Sequence, residues 1–181
     1  GAFITGDIFN LYVWYEVMLT SSFVLIALGG SAEQLRGSIK YVTINFVASI
    51  FFVAGIGILY GLTGTLNMAD LAFKIRAAGH IPHMNGALML FFIAFSVKAG
   101  LFPFFFWLPA SYHTPPIPIT ALFAGTLTKV GIYTMFRFYS LFIVENALFW
   151  KSFILIIAGL TMTIGVLMAA SQFDIRKILS F

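Results

Sequence analysis

The chain has 181 residues, of which 61% are hydrophobic and only 9% charged, and its formal net charge is +4. A soluble domain carries roughly 25% charged residues, so this balance, with 22 phenylalanines and a mean hydropathy of +1.02, excludes a water-soluble fold and marks an integral membrane protein. The ten Lys and Arg are scattered and several fall inside apolar stretches, which speaks against a nucleic-acid partner, and the lack of cysteine excludes disulfides and thiolate metal sites.

Gly1 stands in place of an initiator Met, no signal-peptide pattern opens the chain, and no polar tail follows Arg176-Lys177-Ile178-Leu179-Ser180-Phe181. The chain therefore reads as the middle of a longer polytopic protein. A helix crosses the apolar core of a bilayer in about 20 residues. The first such span runs from Ile8 to Leu28, opened by Asp7 as an N-cap and closed by Gly29-Gly30. The second runs from about Ile39 to Leu62 and ends at Thr63-Gly64-Thr65. Residues 66–85 are of mixed polarity, and Leu66, Met68, Leu71, Phe73 and Ile75 are expected on one face of a surface helix. The third span reaches from Gly86 to Pro109 but is interrupted by Gly100 and Pro103. Pro115-Pro116-Ile117-Pro118 opens a fourth, to about Phe142, because proline suits a first helical turn. The fifth runs from about Lys151 to Ser171. The expected fold is all-α, one membrane domain over residues 1–181 with about five full spans, one of them broken around Gly100–Pro103. Loop cations divide into Arg36, Lys40, Arg176 and Lys177 on one side and Lys74, Arg76 and Lys151 on the other, too even a split to set orientation.

Glu16, Lys98 and Lys129 lie deep inside these spans. A charge near the bilayer centre costs at least ~2.5–3.5 kcal/mol and survives mainly where it faces a bundle interior or water. Glu16 has Tyr12 and Thr20 four residues to either side on its own face. It is either a hydrogen-bonded group tying helices together or a carboxylate paired with a cation on another helix, and its depth favours the second. Lys98 could snorkel to the interface if its helix ended at Pro103. The apolar run continues through Phe104-Phe105-Phe106-Trp107-Leu108, however, which makes a broken helix with Lys98 near its middle. Discontinuous helices beside ionisable residues mark transport sites, where freed backbone groups and water can solvate an ion. Burial also brings a lysine proton within reach of exchange. Lys129, about a dozen residues into the fourth span, shares an i+4 ladder with Gly125, Tyr133 and Arg137. Its alternatives are a relay group and a structural salt bridge. His113, before the Pro-rich turn, suits an interfacial residue or a proton entry point, and Arg137 and Lys151 suit headgroup contacts. His80 and His83 flank Pro82 without a third ligand nearby, so no metal site is expected.

The stretch Lys98-Ala-Gly-Leu-Phe-Pro103-Phe-Phe-Phe-Trp107-Leu-Pro109 resembles the K-x-x-x-x-P-x-x-x-W-L-P signature of the antiporter-like proton-pumping subunits. That family spans respiratory complex I, membrane-bound hydrogenases and Mrp-type multisubunit cation/proton antiporters. The run from Pro115 through Gly125, Lys129, Tyr133 and Arg137 is similar to its next helix, and Asp7 to Glu16 to the helix bearing its essential glutamate. Complex I members usually carry Asp after W-L-P, whereas Ala110-Ser111-Tyr112 follows here. With Gln34-Leu-Arg36-Gly-Ser-Ile-Lys40-Tyr and Gly64-Thr-Leu-Asn67-Met-Ala-Asp70, the chain resembles the D-type branch of the Mrp-type antiporter subunits.

The resemblance implies a subunit of about fourteen helices with two inverted five-helix repeats, this chain running from the end of the fourth helix to just past the ninth. It implies a Glu16–Lys98 ion pair, Lys129 as the central relay lysine, and a break at Gly100 and Pro103, with His113, Tyr133 and Arg137 as accessory groups. It further implies Na⁺/H⁺ exchange, no enzymatic activity, no cofactor or metal, partner membrane subunits and a bacterial or archaeal cytoplasmic membrane. A proton-pumping subunit of a respiratory oxidoreductase and a structural membrane scaffold remain as alternatives.

Overall fold

The computed structural model describes residues 1–143 and 147–180, so Phe181 lies outside the described residues. Helix α1 (Ile8–Ala27) begins where the Asp7 carboxylate accepts the Asn10 amide at 2.8 Å, meeting one of the orphan donors of a helix start. Helix α2 (Ala32–Thr63) begins earlier than expected, at a capping box in which the Ser31 hydroxyl and the Gln34 side chain each accept the other's backbone amide. Its 32 residues extend about 48 Å, longer than the ~30 Å hydrocarbon core, so its ends reach the interfacial layers.

Helix α3 (Met68–Ala78) is short and amphipathic, capped by Asn67. Met68, Leu71 and Ile75 are buried, but Phe73 is 72% exposed, which corrects its expected place on one face with them. A helix turns about 100° per residue, so a position two away from both Leu71 and Ile75 points the opposite way. The start of α3 is tied to the start of α1 by Ile8 N–H to Leu66 O (3.0 Å) and Met68 N–H to Gly6 O (2.8 Å).

The remaining helices are α4 (Met84–Ala99), α5 (Trp107–Tyr112), α6 (Ile117–Leu122), α7 (Thr128–Phe142), α8 (Ala147–Ala170) and α9 (Ile175–Ile178). A 3₁₀ turn, Phe104–Phe106, leads into α5, and a π-helical segment, Phe123–Leu127, joins α6 to α7. Taken with their breaks, five segments among the described residues are long and apolar enough to cross a membrane: Ile8–Ala27, Ala32–Thr63, Met84–Tyr112, Ile117–Phe142 and Ala147–Ala170. The fifth starts about one turn before the expected Lys151.

The third span is the most buried of the five and lies at the centre. Its α4 half packs against both α2 and α7, while α1 lies on α2. The α4–α7 approach is close because Gly131 has no side chain: a Cβ there would stand 2.7 Å from the Ala99 backbone nitrogen. The core between these helices is aromatic. Tyr15, Phe52, Phe91, Phe95 and Phe138 pack edge-on, tilted or near-parallel, with the Phe52–Phe95 centroids 5.2 Å and the Phe91–Phe138 centroids 4.5 Å apart.

Candidate ion-relay site

The break in the third span is built from its own residues. Gly100, at φ +70°, ends α4 in the left-handed conformation that glycine adopts without strain. Its N–H donates to Val97 O at 3.2 Å, and the Leu101 N–H to Ser96 O at 2.9 Å, the paired bonds of a Schellman motif. The Phe102–Pro103 bond is cis. The Phe102 amide donates to Thr161 Oγ1 on α8 at 3.0 Å, and the Trp107 indole N–H folds back to Val97 O at 2.9 Å. Ser111 Oγ then donates to Gly37 O at 3.0 Å, fastening α5 to α2. The helix is discontinuous where Gly100 and Pro103 predict it.

Lys98 sits in the last turn of α4, just before this break, and is buried. Its ammonium stands 5.5 Å from the centre of the Tyr15 ring, a cation–π distance. The Tyr15 hydroxyl donates to Thr134 Oγ1 on α7 at 2.8 Å, so α1, α4 and α7 meet at this lysine. Beside it is a small cavity lined by Tyr15, Met18, Leu19, Tyr41, Asn45 and Leu127.

Glu16, half-buried on α1, accepts a short hydrogen bond from Ser49 Oγ on α2. The direct Glu16–Lys98 ion pair is not formed among the described residues: the carboxylate is engaged by Ser49 and the ammonium lies against Tyr15. The two charges nevertheless border the same face of α2, because Asn45 and Ser49 are one turn apart on it.

Lys129 comes just after the π-helical segment, is exposed, and does not line the cavity that Leu127 borders. The extra residue of a π turn shifts the phase of every later turn, and such segments recur at functional sites. Neither the segment nor its effect is visible in the apolar pattern. The Tyr133 hydroxyl, on the i+4 ladder of Lys129, donates to Phe3 O at 2.7 Å and accepts from Arg137 Nη1 at 3.4 Å. His113 bonds through Nδ1 to Pro109 O in the α5–α6 loop, near Thr114, whose carbonyl accepts from Gln34 Nε2 at 3.2 Å. The structure thus gathers Glu16 and Lys98 with the break, and leaves Lys129, Tyr133, Arg137 and His113 outside that cluster.

Sequence reasoning missed the polar face of α2. Gln34, Ser38, Tyr41, Asn45 and Ser49 are all buried, and their spacing of four, three, four and four puts them in one line along the helix. That spacing is present in the sequence and could have singled them out.

The D subunit of the Na(+)/H(+) antiporter of Alkalihalophilus pseudofirmus, a curated relative, is 53% identical over all 181 residues, which cover 37% of its length. The Mrp complex from a Dietzia species contains a chain matching 99% of this one at 33% identity and TM-score 0.90, over 34% of its own length. The membrane-bound sulfane sulfur reductase, an archaeal respiratory membrane complex, matches 97% at 34% identity and TM-score 0.89, over 36% of the matched chain. The chain spans little more than a third of each of these relatives. The family model described as NADH:quinone oxidoreductase/Mrp antiporter, TM, matches residues 5–181, and the chain belongs to that family.

Proposed function

We propose that the chain is the proton-handling part of one subunit of a multisubunit membrane complex that exchanges Na⁺ for H⁺. The observation that supports it most is the buried Lys98 at the end of a broken helix, with a carboxylate on the neighbouring helix facing the same stripe of α2. Glu16 supplies the counter-charge that lets a buried ammonium persist, since attraction between charges is strong where water is scarce. Neutralising or displacing that carboxylate releases the proton from Lys98. The proton then passes through water toward Lys129, whose face is covered in the complete subunit by helices this chain does not include. In this reading the chain holds most of the first of two inverted repeats, works as a secondary transporter without a cofactor, and sits among partner subunits in the cytoplasmic membrane of a bacterium or archaeon.

The test uses the full-length protein in its assembled complex, in everted vesicles, following the Na⁺-dependent change of internal pH. Glu16→Gln and Lys98→Ala are each expected to reduce exchange to background at normal assembly. Near-normal exchange in both returns the charges to a structural role.

A second reading, proton pumping within a respiratory oxidoreductase, draws on the likeness to the archaeal respiratory complex. It predicts proton movement driven by electron transfer in the purified complex, with no response to a Na⁺ gradient.

A further inference from the structure

We propose that Ser49 and Asn45 of α2 are positioning residues that couple Glu16 to Lys98, Ser49 by orienting the carboxylate and Asn45 by holding a water molecule against the ammonium. The proposal rests on the relay reading of Glu16 and Lys98 given above.

Three observations carry it. The two charges do not touch each other, yet each meets the same face of α2: Ser49 Oγ donates to Glu16 Oε1, and Asn45 shares a cavity wall with Lys98. That cavity has a volume of about 10 Å³. A single water needs about that much room and two to four polar partners. Asn45 Nδ2 donates to its own helix at Tyr41 O (2.9 Å), which leaves the amide oxygen to accept from a water, while Lys98 donates to the same water. The Tyr15 and Tyr41 hydroxyls, in the same wall, are already engaged by Thr134 and Ser22.

The third observation is the link between the two residues. Ser49 Oγ lies 3.1 Å from Asn45 O as well as against Glu16, so its hydroxyl can turn between the carboxylate and its own helix. When Glu16 is ionised, donation to the carboxylate is the stronger bond. When Glu16 is neutralised, the hydroxyl returns to the backbone. The charge state of Glu16 is thereby passed to the turn of α2 that holds the water on Lys98. A hydroxyl and an amide in a membrane helix are otherwise satisfied by their own backbone, and nothing in that simpler role requires Ser49 to face a carboxylate.

The test is Na⁺/H⁺ exchange by the full-length protein in its assembled complex, in everted vesicles with NaCl as the cation source. Ser49→Ala removes the donor, Ser49→Thr keeps a hydroxyl, Asn45→Leu closes the water site and Asn45→Ser leaves it polar and open. A hydrogen bond to a charged group corresponds to about tenfold or more in rate. Maximal exchange is expected to fall about tenfold in Ser49→Ala and Asn45→Leu, at unchanged half-saturating Na⁺ and normal assembly, and to be largely restored in Ser49→Thr and Asn45→Ser. Full rates in Ser49→Ala and Asn45→Leu overturn the proposal, and so does equal impairment in each polar and apolar pair, which is the mark of packing alone. Glu16→Gln and Lys98→Ala are measured alongside. If those retain exchange, the relay reading itself fails; if they abolish it while Ser49→Ala and Asn45→Leu do not, only the coupling role fails.

Discussion

Helix α2 presents two different surfaces to the same bundle. Its first half buries Gln34, Ser38, Tyr41, Asn45 and Ser49; its second half buries Phe52, Ile56 and Leu59 at the same alternation of three and four residues. The geometry is shared and only the chemistry changes. In the polar half each group has a partner that keeps it stable away from water. Ser38 donates to Gln34 O at 2.7 Å, Asn45 to Tyr41 O at 2.9 Å, and Tyr41 shares a hydrogen bond with Ser22. In the apolar half Phe52 packs edge-on against Tyr12, Tyr15, Phe91 and Phe95. Glu16 and Lys98 meet α2 at the junction, and the polar half alone leads from them toward the Gln34–Thr114 end. Burial by itself therefore does not separate an apolar packing surface from a polar, hydrogen-bonded one; the bonding partners of the buried groups do.

The sharpest challenge to this division comes from Lys129, which lies outside both halves. If protons leave the junction toward it, Lys129→Arg assembles but loses exchange at least about tenfold, because arginine cannot be deprotonated in a protein. Lys129→His, which still titrates, retains part of the activity. The opposite order, measured as vesicle exchange per assembled complex, makes Lys129 a structural cation and confines conduction to the polar half.

Phe52→Ala probes the apolar half. Emptying a fully packed aromatic site is expected to destabilise the protein by about 3–5 kcal/mol, read as a lower Tm in detergent, with normal exchange in whatever complex still assembles. Impaired exchange at unchanged stability would remove the distinction between the halves. A smaller effect is expected where the break is fastened. Trp107→Phe keeps an aromatic side chain, smaller than the indole, and deletes the donor to Val97 O. The loss of about 1 kcal/mol predicts about fivefold faster amide hydrogen exchange at Gly100 and Leu101, and unchanged protection there means the indole does not hold the break.

The smallest effect belongs to Asp70, on the solvent-facing side of α3. Hydrogen bonding from Thr65, and then Lys74 at 3.2 Å, hold its carboxyl below the usual carboxylate range. A depressed value stabilises the fold above the unfolded-state value of about 3.9 and loses that contribution as pH falls below it. The pair is open to solvent and screened. Asp70→Asn should leave exchange intact and shift Tm slightly at neutral pH, with the shift vanishing in acid; a large shift at neutral pH would show that α3 contributes more than surface cover.

Much of the architecture was legible in the residues alone. The five spans came from apolar length, and the break from Gly100 and Pro103 within a continuing apolar run. Caps such as Asp7 and Gly64 were legible because they act on the nearest few backbone groups. The site was legible only as a set of deep charges. Apolar residues surround α4 on every side, so nothing in its pattern tells which face Lys98 shares with a neighbour. The polar line on α2 was present at helical spacing, but serine and asparagine in an apolar segment announce no partner.

By itself, then, the sequence determined that this stretch of chain carries five apolar segments long enough to cross a membrane, with a helix broken beside a lysine. Those properties arise from hydrophobic length and from the backbone limits of glycine and proline, which act locally. The tertiary structure alone decided that Glu16 is held by Ser49 and not by Lys98, that Asn45 shares a cavity with the ammonium, and that Lys129 does not line that cavity. Each of these depends on how a helix is rotated about its axis against another far away in the chain. Side-chain chemistry permits that rotation, but only packing selects it.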